Sequence, residues 1–120
     1  MITALAAAAA VLFVHNDGGG LAHEYAKNYR THDQIVISGE CASSCVLYMS
    51  HPGACAMPGT VLGMHYGLRD GEWSKEATEQ FLRALPASVQ GVWAEDRLRK
   101  GSRTQDFIWI RAEQVMRVCK

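Results

Sequence analysis

Apolar residues along this chain gather in short unbroken runs, separated by stretches where they recur every three or four positions. The runs "VLFVH" (Val11–His15) and "QIVIS" (Gln34–Ser38) have strand length and read as strands buried on both faces, as in a parallel sheet. Between them Leu21, Tyr25 and Tyr29 repeat at helical spacing among polar residues, which predicts an amphipathic helix over Leu21–Arg30. "CASSCVLYMS" places small residues before bulky ones, as expected of a helix with a tightly packed N-terminus; it starts near Ser43 and is stopped by His51-Pro52-Gly53. A third strand is expected over Thr60–His65. A helix follows, with Ser74 as its N-cap and Pro86 as its breaker. Ser88–Lys100 reads as a further helix ending at Gly101, "DFIWI" as a last extended piece, and Arg111–Val118 as a terminal helix. The alanine run Ala6–Ala10 favours helix at the start. Strands alternating with helices imply an α/β fold whose parallel strands are joined by β-α-β crossovers.

With 120 residues, 48% of them apolar and 20% charged, the chain is expected to form a single domain, 1–120, of ordinary globular composition. Its formal charge of zero gives no electrostatic case for nucleic acid or an anionic membrane as partner. The opening "MITALAAAAAVLFV" lacks a basic segment and runs into "HNDGGG" without a cleavage point, so it is expected to be helix then strand. It is also too short to span a bilayer.

The candidate chemistry lies in three turns. Gly18, Gly19 and Gly20 follow the first strand, where uncovered peptide N–H groups can face an anionic oxygen; the plain alternative is a flexible β-α turn. The pattern is not a dinucleotide fingerprint, because Ala22 and His23 break it. Ser43 and Ser44 follow the second strand, at the positive end of a helix, where a serine is either a cap or a nucleophile. A nucleophilic serine needs a base, and His65 is a candidate. Eight helical residues and the returning strand cover about 12 and 17 Å, so the path can bring His65 back beside the serines.

Taken together, "N-x-G-G-G", "C-A-S-S-C" and "G-M-H" resemble the Clp-type serine peptidases and their crotonase-fold relatives, above all the short bacterial, periplasmic members. The resemblance runs from about Val11 to Cys119 and rests on the order and spacing of motifs that are individually weak. It implies a Clp/crotonase-like α/β domain shortened at its N-terminus. It selects Ser43, which follows an alanine, as nucleophile, and His65, preceded by Pro58, as general base. Asp106, before Phe107 and a Glu113-bearing tail, is implied as the orienter of His65. The backbone N–H groups of Gly19 and Ser44 are implied as the oxyanion hole. The expected activity is peptide hydrolysis through an acyl-enzyme, on a peptide or protein substrate and with no cofactor. The family's long handle helix is represented at most by Ser74–Lys100. That argues against ring assembly with an unfolding ATPase and leaves a homo-oligomer open.

Of the four cysteines, Cys41 and Cys45 flank the serines, Cys55 lies just beyond, and Cys119 reads as an unpaired thiol. Cys41, Cys45 and Cys55 leave three readings open: a disulfide among them, buried thiols packing the turn, or, with His51 and His65, a zinc site lacking the usual C-x₂-C spacing. The compartment, cytoplasmic or periplasmic, stays open with them. Two other classes of function therefore stand beside the peptidase: a catalytically degenerate scaffold or binding module of the same fold, and a Cys/His zinc-binding module.

Overall fold

The computed structural model describes residues 9–101 and 107–120. The expected N-terminal helix falls largely outside them, and Ala9 and Ala10 lead into the first strand without helical structure. The elements run β1 (Val11–Asp17), α1 (Ala22–Thr31), β2 (Gln34–Ala42), a 3₁₀ helix (Ser43–Ser50), β3 (Ala54–Ala56), β4 (Val61–Met64), β5 (Leu68–Arg69), β6 (Glu72–Trp73), α2 (Lys75–Arg83), α3 (Ala87–Gln90), α4 (Glu95–Gly101), β7 (Ile108–Arg111) and a short 3₁₀ turn (Ala112–Gln114). The fold is α/β with a mostly parallel sheet in the order β1-β2-β4-β7, and β3 joins β2 alongside. β1, β3 and β4 all pair with β2 in parallel.

Several expectations are corrected. β7 pairs with β4 antiparallel, so the sheet is mixed. β1 and β2 are covered on one face only: Val14, Ile35 and Ile37 are buried, whereas Phe13 on the edge strand is 75% exposed. The Ser88–Lys100 helix is split into α3 and α4 around Gly91. Over Arg111–Val118 the expected helix is reduced to the single 3₁₀ turn Ala112–Gln114. Arg111 completes β7, and the tail is drawn out along β3 by the Ala56–Val118 bridge and by hydrogen bonds of Ala56 N–H to Arg117 O and Cys119 N–H to Ala56 O, each 2.8 Å. The Ser74 cap is borne out, its Oγ accepting from Ala77 N–H at 3.2 Å.

The core lies between the covered face of the sheet and the helices. Ile35, Ile37, Leu62 and Met64 project from the sheet; Val46, Tyr48, Leu82, Val89 and Trp93 meet them. The 3₁₀ helix docks on α1 through Tyr25 and Tyr48, whose ring centroids are 5.2 Å apart, and through Tyr29 O–H donating to Ser50 O at 3.0 Å. Trp93, fully buried, donates its indole N–H to Ile108 O at 3.0 Å and thereby fastens β7 to the helices.

All four cysteines are paired, Cys41 with Cys45 and Cys55 with Cys119. Cys119 is therefore not a free thiol, the buried-thiol reading fails, and so does pairing of Cys41 or Cys45 to Cys55. The zinc reading fails too: its thiols are consumed, and His51 is fixed by accepting from Gly53 N–H at 2.9 Å while its other nitrogen donates to His32 O at 2.9 Å. The two bonds differ in reach. Cys55–Cys119 spans 64 positions and Cys41–Cys45 only 4. By loop entropy the long one is worth about 4 kcal/mol and the short one about 2 kcal/mol. Replacing Cys55 and Cys119 together by serine is expected to lower the unfolding free energy by about 4 kcal/mol, read from urea melts. A loss below about 1 kcal/mol would show that the tail contributes little.

Candidate active site

At the end of β1 the register to β2 shifts between His15 and Asp17: Asn16, with φ +49°, stands opposite two residues of β2, Gly39 and Glu40, so the extra residue is in β2. Asparagine tolerates that region because its short side chain bonds locally. Asn16 Oδ1 accepts from Glu40 N–H at 3.0 Å, and facing it stands Gly39 with φ +69°, where a Cβ would fall 2.0 Å from that oxygen. The extra residue bends β2 just before Cys41.

Asp17 then holds the turn. Its Oδ1 accepts Gly19 N–H at 2.8 Å and Tyr25 O–H at 2.5 Å. Burial first, and then the Asp17 carboxylate, push Tyr25 well above the usual phenol range, so it stays a donor. Asp17 was not singled out from the sequence, although an aspartate two residues before a turn glycine is a recognisable local bonding pattern. Because Gly19 N–H is committed to Asp17, it is not the free oxyanion donor expected of it. Gly19 contributes its bare Cα instead: at φ +93°, a Cβ there would lie 2.7 Å from Ser43 Cβ and 2.8 Å from Ala42 O.

The two serines separate cleanly. Ser44 is buried, 5% exposed, and donates its hydroxyl to Gly20 O at 2.8 Å, tying the 3₁₀ helix to the glycine turn. Ser43 is partly exposed and has φ +57°, a left-handed conformation that costs a non-glycine residue about 1–2 kcal/mol. It sits where β2 turns sharply into the helix, the setting in which a serine Oγ is pushed out of the backbone.

His65 follows β4, and the sheet brings it to the serines. Cys41 is level with Leu62 and Ala42 with Gly63, so the end of β2 that leads into Ser43 lies beside the end of β4 that leads to His65. His65 Nδ1 is 2.5 Å from Tyr66 O. A carbonyl only accepts, so Nδ1 carries the proton and Nε2 is left as the basic nitrogen in the neutral ring. Phe107 packs against the imidazole with centroids 5.0 Å apart and planes at 70°.

Ser43, Ser44 and His65 line one cavity of about 490 Å³. Its other walls come largely from Leu21, Leu47, Met64, Leu68 and Phe81, with the α2 side presenting Ala77 and Gln80. Among its described lining residues, His65 carries the one imidazole, and none is an aspartate, glutamate, lysine or arginine. The structure thus brings together Ser43, Ser44, His65 and the glycine turn. Asp106 lies outside the described residues.

Compared with known proteins, the chain matches no family model and no curated sequence.

Proposed function

We propose that the chain is a serine hydrolase of the Clp/crotonase-like kind, cleaving peptide bonds with Ser43 as nucleophile and His65 as general base. The observation that carries the reading is Ser43: a strained serine at a strand-to-helix turn, opening onto the same cavity as an imidazole whose Nδ1 proton is already spoken for. Attack by Ser43 Oγ on a carbonyl carbon would pass its proton to His65 Nε2, and the imidazolium would return it to the leaving amine. The oxyanion would be met by Ser44 N–H and, since Gly19 N–H is engaged, by Gly20 N–H at the cavity wall. The apolar walls favour a substrate with an uncharged, apolar side chain on the acyl side. Two disulfides, with Cys41 and Cys45 fully buried, favour an oxidising compartment.

A second reading has one observation in its favour. The hydrogen bonds among the described residues include none from Ser43 Oγ to His65, as a non-catalytic binding module of the same fold would show. Free enzymes also often lack that bond until substrate arrives. Reaction with amino-acid diphenyl phosphonates, which phosphonylate an activated serine at Oγ with loss of phenol, separates the two. The hydrolase is expected to be labelled at Ser43, located by fragment mass spectrometry. The leucine analogue should react at least about tenfold faster than the aspartate one, since burying a leucine side chain is worth about 1.5–3 kcal/mol. No labelling at Ser43 supports the binding module.

A further inference from the structure

We propose that the Cys41–Cys45 disulfide is a positioning clamp for Ser43, holding it in the conformation that exposes Oγ to the cavity; the catalytic part of this inference rests on the hydrolase reading. The bond joins the residue two places before Ser43 to the residue two places after it, and its Cα atoms are 5.3 Å apart. Cys41 is fixed in the sheet, paired between Asp17 of β1 and Leu62 of β4. Cys45 is the third residue of the 3₁₀ helix. The chain from 41 to 45 must leave the sheet and return within one covalent ring, and Ser43 at its apex takes the left-handed φ of +57°.

A left-handed serine persists only where its surroundings over-determine it. Ser44 Oγ to Gly20 O secures the side facing the glycine turn, and Gly19 leaves room for Ser43 Cβ. Neither anchors both flanks of Ser43 at once; the disulfide does. Cys41 and Cys45 are each 0% exposed, so a reductant in solution does not reach the bond while the fold is intact. That makes it a permanent fastening rather than a redox switch. Its ring is also too short to stabilise the whole fold as strongly as Cys55–Cys119, which leaves the local conformation as its main effect.

The test uses the full chain with Cys41→Ala/Cys45→Ala, and Cys41→Val/Cys45→Ala as a version that refills the buried volume. Folding is checked by near-ultraviolet circular dichroism with Cys55–Cys119 intact. Two readouts follow on folded protein. The strong intraresidue HN–Hα contact and the ¹³Cβ shift of Ser43 report its backbone by NMR. They are expected to leave the left-handed pattern in the variants. The second-order rate of phosphonate labelling at Ser43 is expected to fall at least tenfold, while the affinity for an unreactive leucine amide in the cavity changes less than twofold. A bond that is merely structural would lower the melting temperature and leave both Ser43 readouts unchanged, which overturns the proposal. Failure of both variants to fold also overturns it, by making the bond a determinant of the whole fold. If wild type is not labelled at all, the hydrolase reading falls, and the NMR readout still decides whether the bond holds Ser43.

Discussion

Replacing His65 by alanine is expected to lower the turnover of a leucine-containing peptide substrate by about four to six orders of magnitude, with binding of an unreactive analogue unchanged. The size follows from chemistry. A serine hydroxyl is almost wholly protonated at neutral pH, and in the proposed mechanism His65, which lines the same cavity, takes that proton. The Tyr66 carbonyl at 2.5 Å sets the tautomer and Phe107 packs against the ring at 5.0 Å, so among the described residues a carbonyl, not a carboxylate, engages Nδ1. Asp106→Asn is the companion experiment. Where a carboxylate alone sets the tautomer, the amide costs about 10⁴ in turnover. With Tyr66 O already in that role, the expected loss is less than about tenfold. A loss near 10⁴ would show that the carbonyl is insufficient and that Asp106 orients the ring. An unchanged rate in His65→Ala would remove the base from the mechanism, and the serine chemistry with it.

How much of this was legible beforehand depended on whether the determining interaction is local. The apolar runs of β1 and β2, the amphipathic repeat of α1 and the Ser74 cap of α2 are written in adjacent residues, and all were found. β3 was missed because Ala54-Cys55-Ala56 carries no periodicity; it is a strand only because β2 has a free edge there. The terminal helix failed for the same kind of reason. Antiparallel pairing with β4 and the bond from Cys119 to Cys55 override the local preference of the tail. Burial of β1 was overestimated, since a continuous apolar run does not reveal that its strand lies at a sheet edge.

In the site, the order of motifs named Ser43, His65 and the glycine turn, and the structure places them around one cavity. Residue types alone did not separate the roles of neighbours; the resemblance selected Ser43 over Ser44 and named Gly19. Ser43 and Ser44 differ in backbone conformation and bonding, not in composition. Gly19 and Gly20 differ in which amide is already engaged, and that depends on the orientation of Asp17, set in turn by Tyr25 from the helix. The pairing of the cysteines was equally hidden, because connectivity follows from which strands meet.

The role given to Gly19 leads to the second large effect. Gly19→Ala is expected to reduce phosphonate labelling of Ser43 by about 10²–10³, comparable to removing one oxyanion donor, although residue 19 donates nothing to the substrate. Two constraints act together. At φ +93° an alanine is strained wherever it is, and the added methyl would sit 2.7 Å from Ser43 Cβ, 2.8 Å from Ala42 O and 3.2 Å from Ser44 N. Two of those three atoms belong to the backbone, so the conflict cannot be relieved by a side-chain rotation. The serine turn and the glycine turn must separate, carrying Ser43 away from His65 and spoiling the approach of Ser44 N–H and Gly20 N–H. Gly18→Ala supplies the control, because a Cβ at Gly18 meets nothing within 4 Å and its backbone is not left-handed. It is expected to label as wild type. Equal labelling of the Gly19 and Gly18 variants would mean that the two turns do not touch as described, and the assembled site would lose its geometric basis.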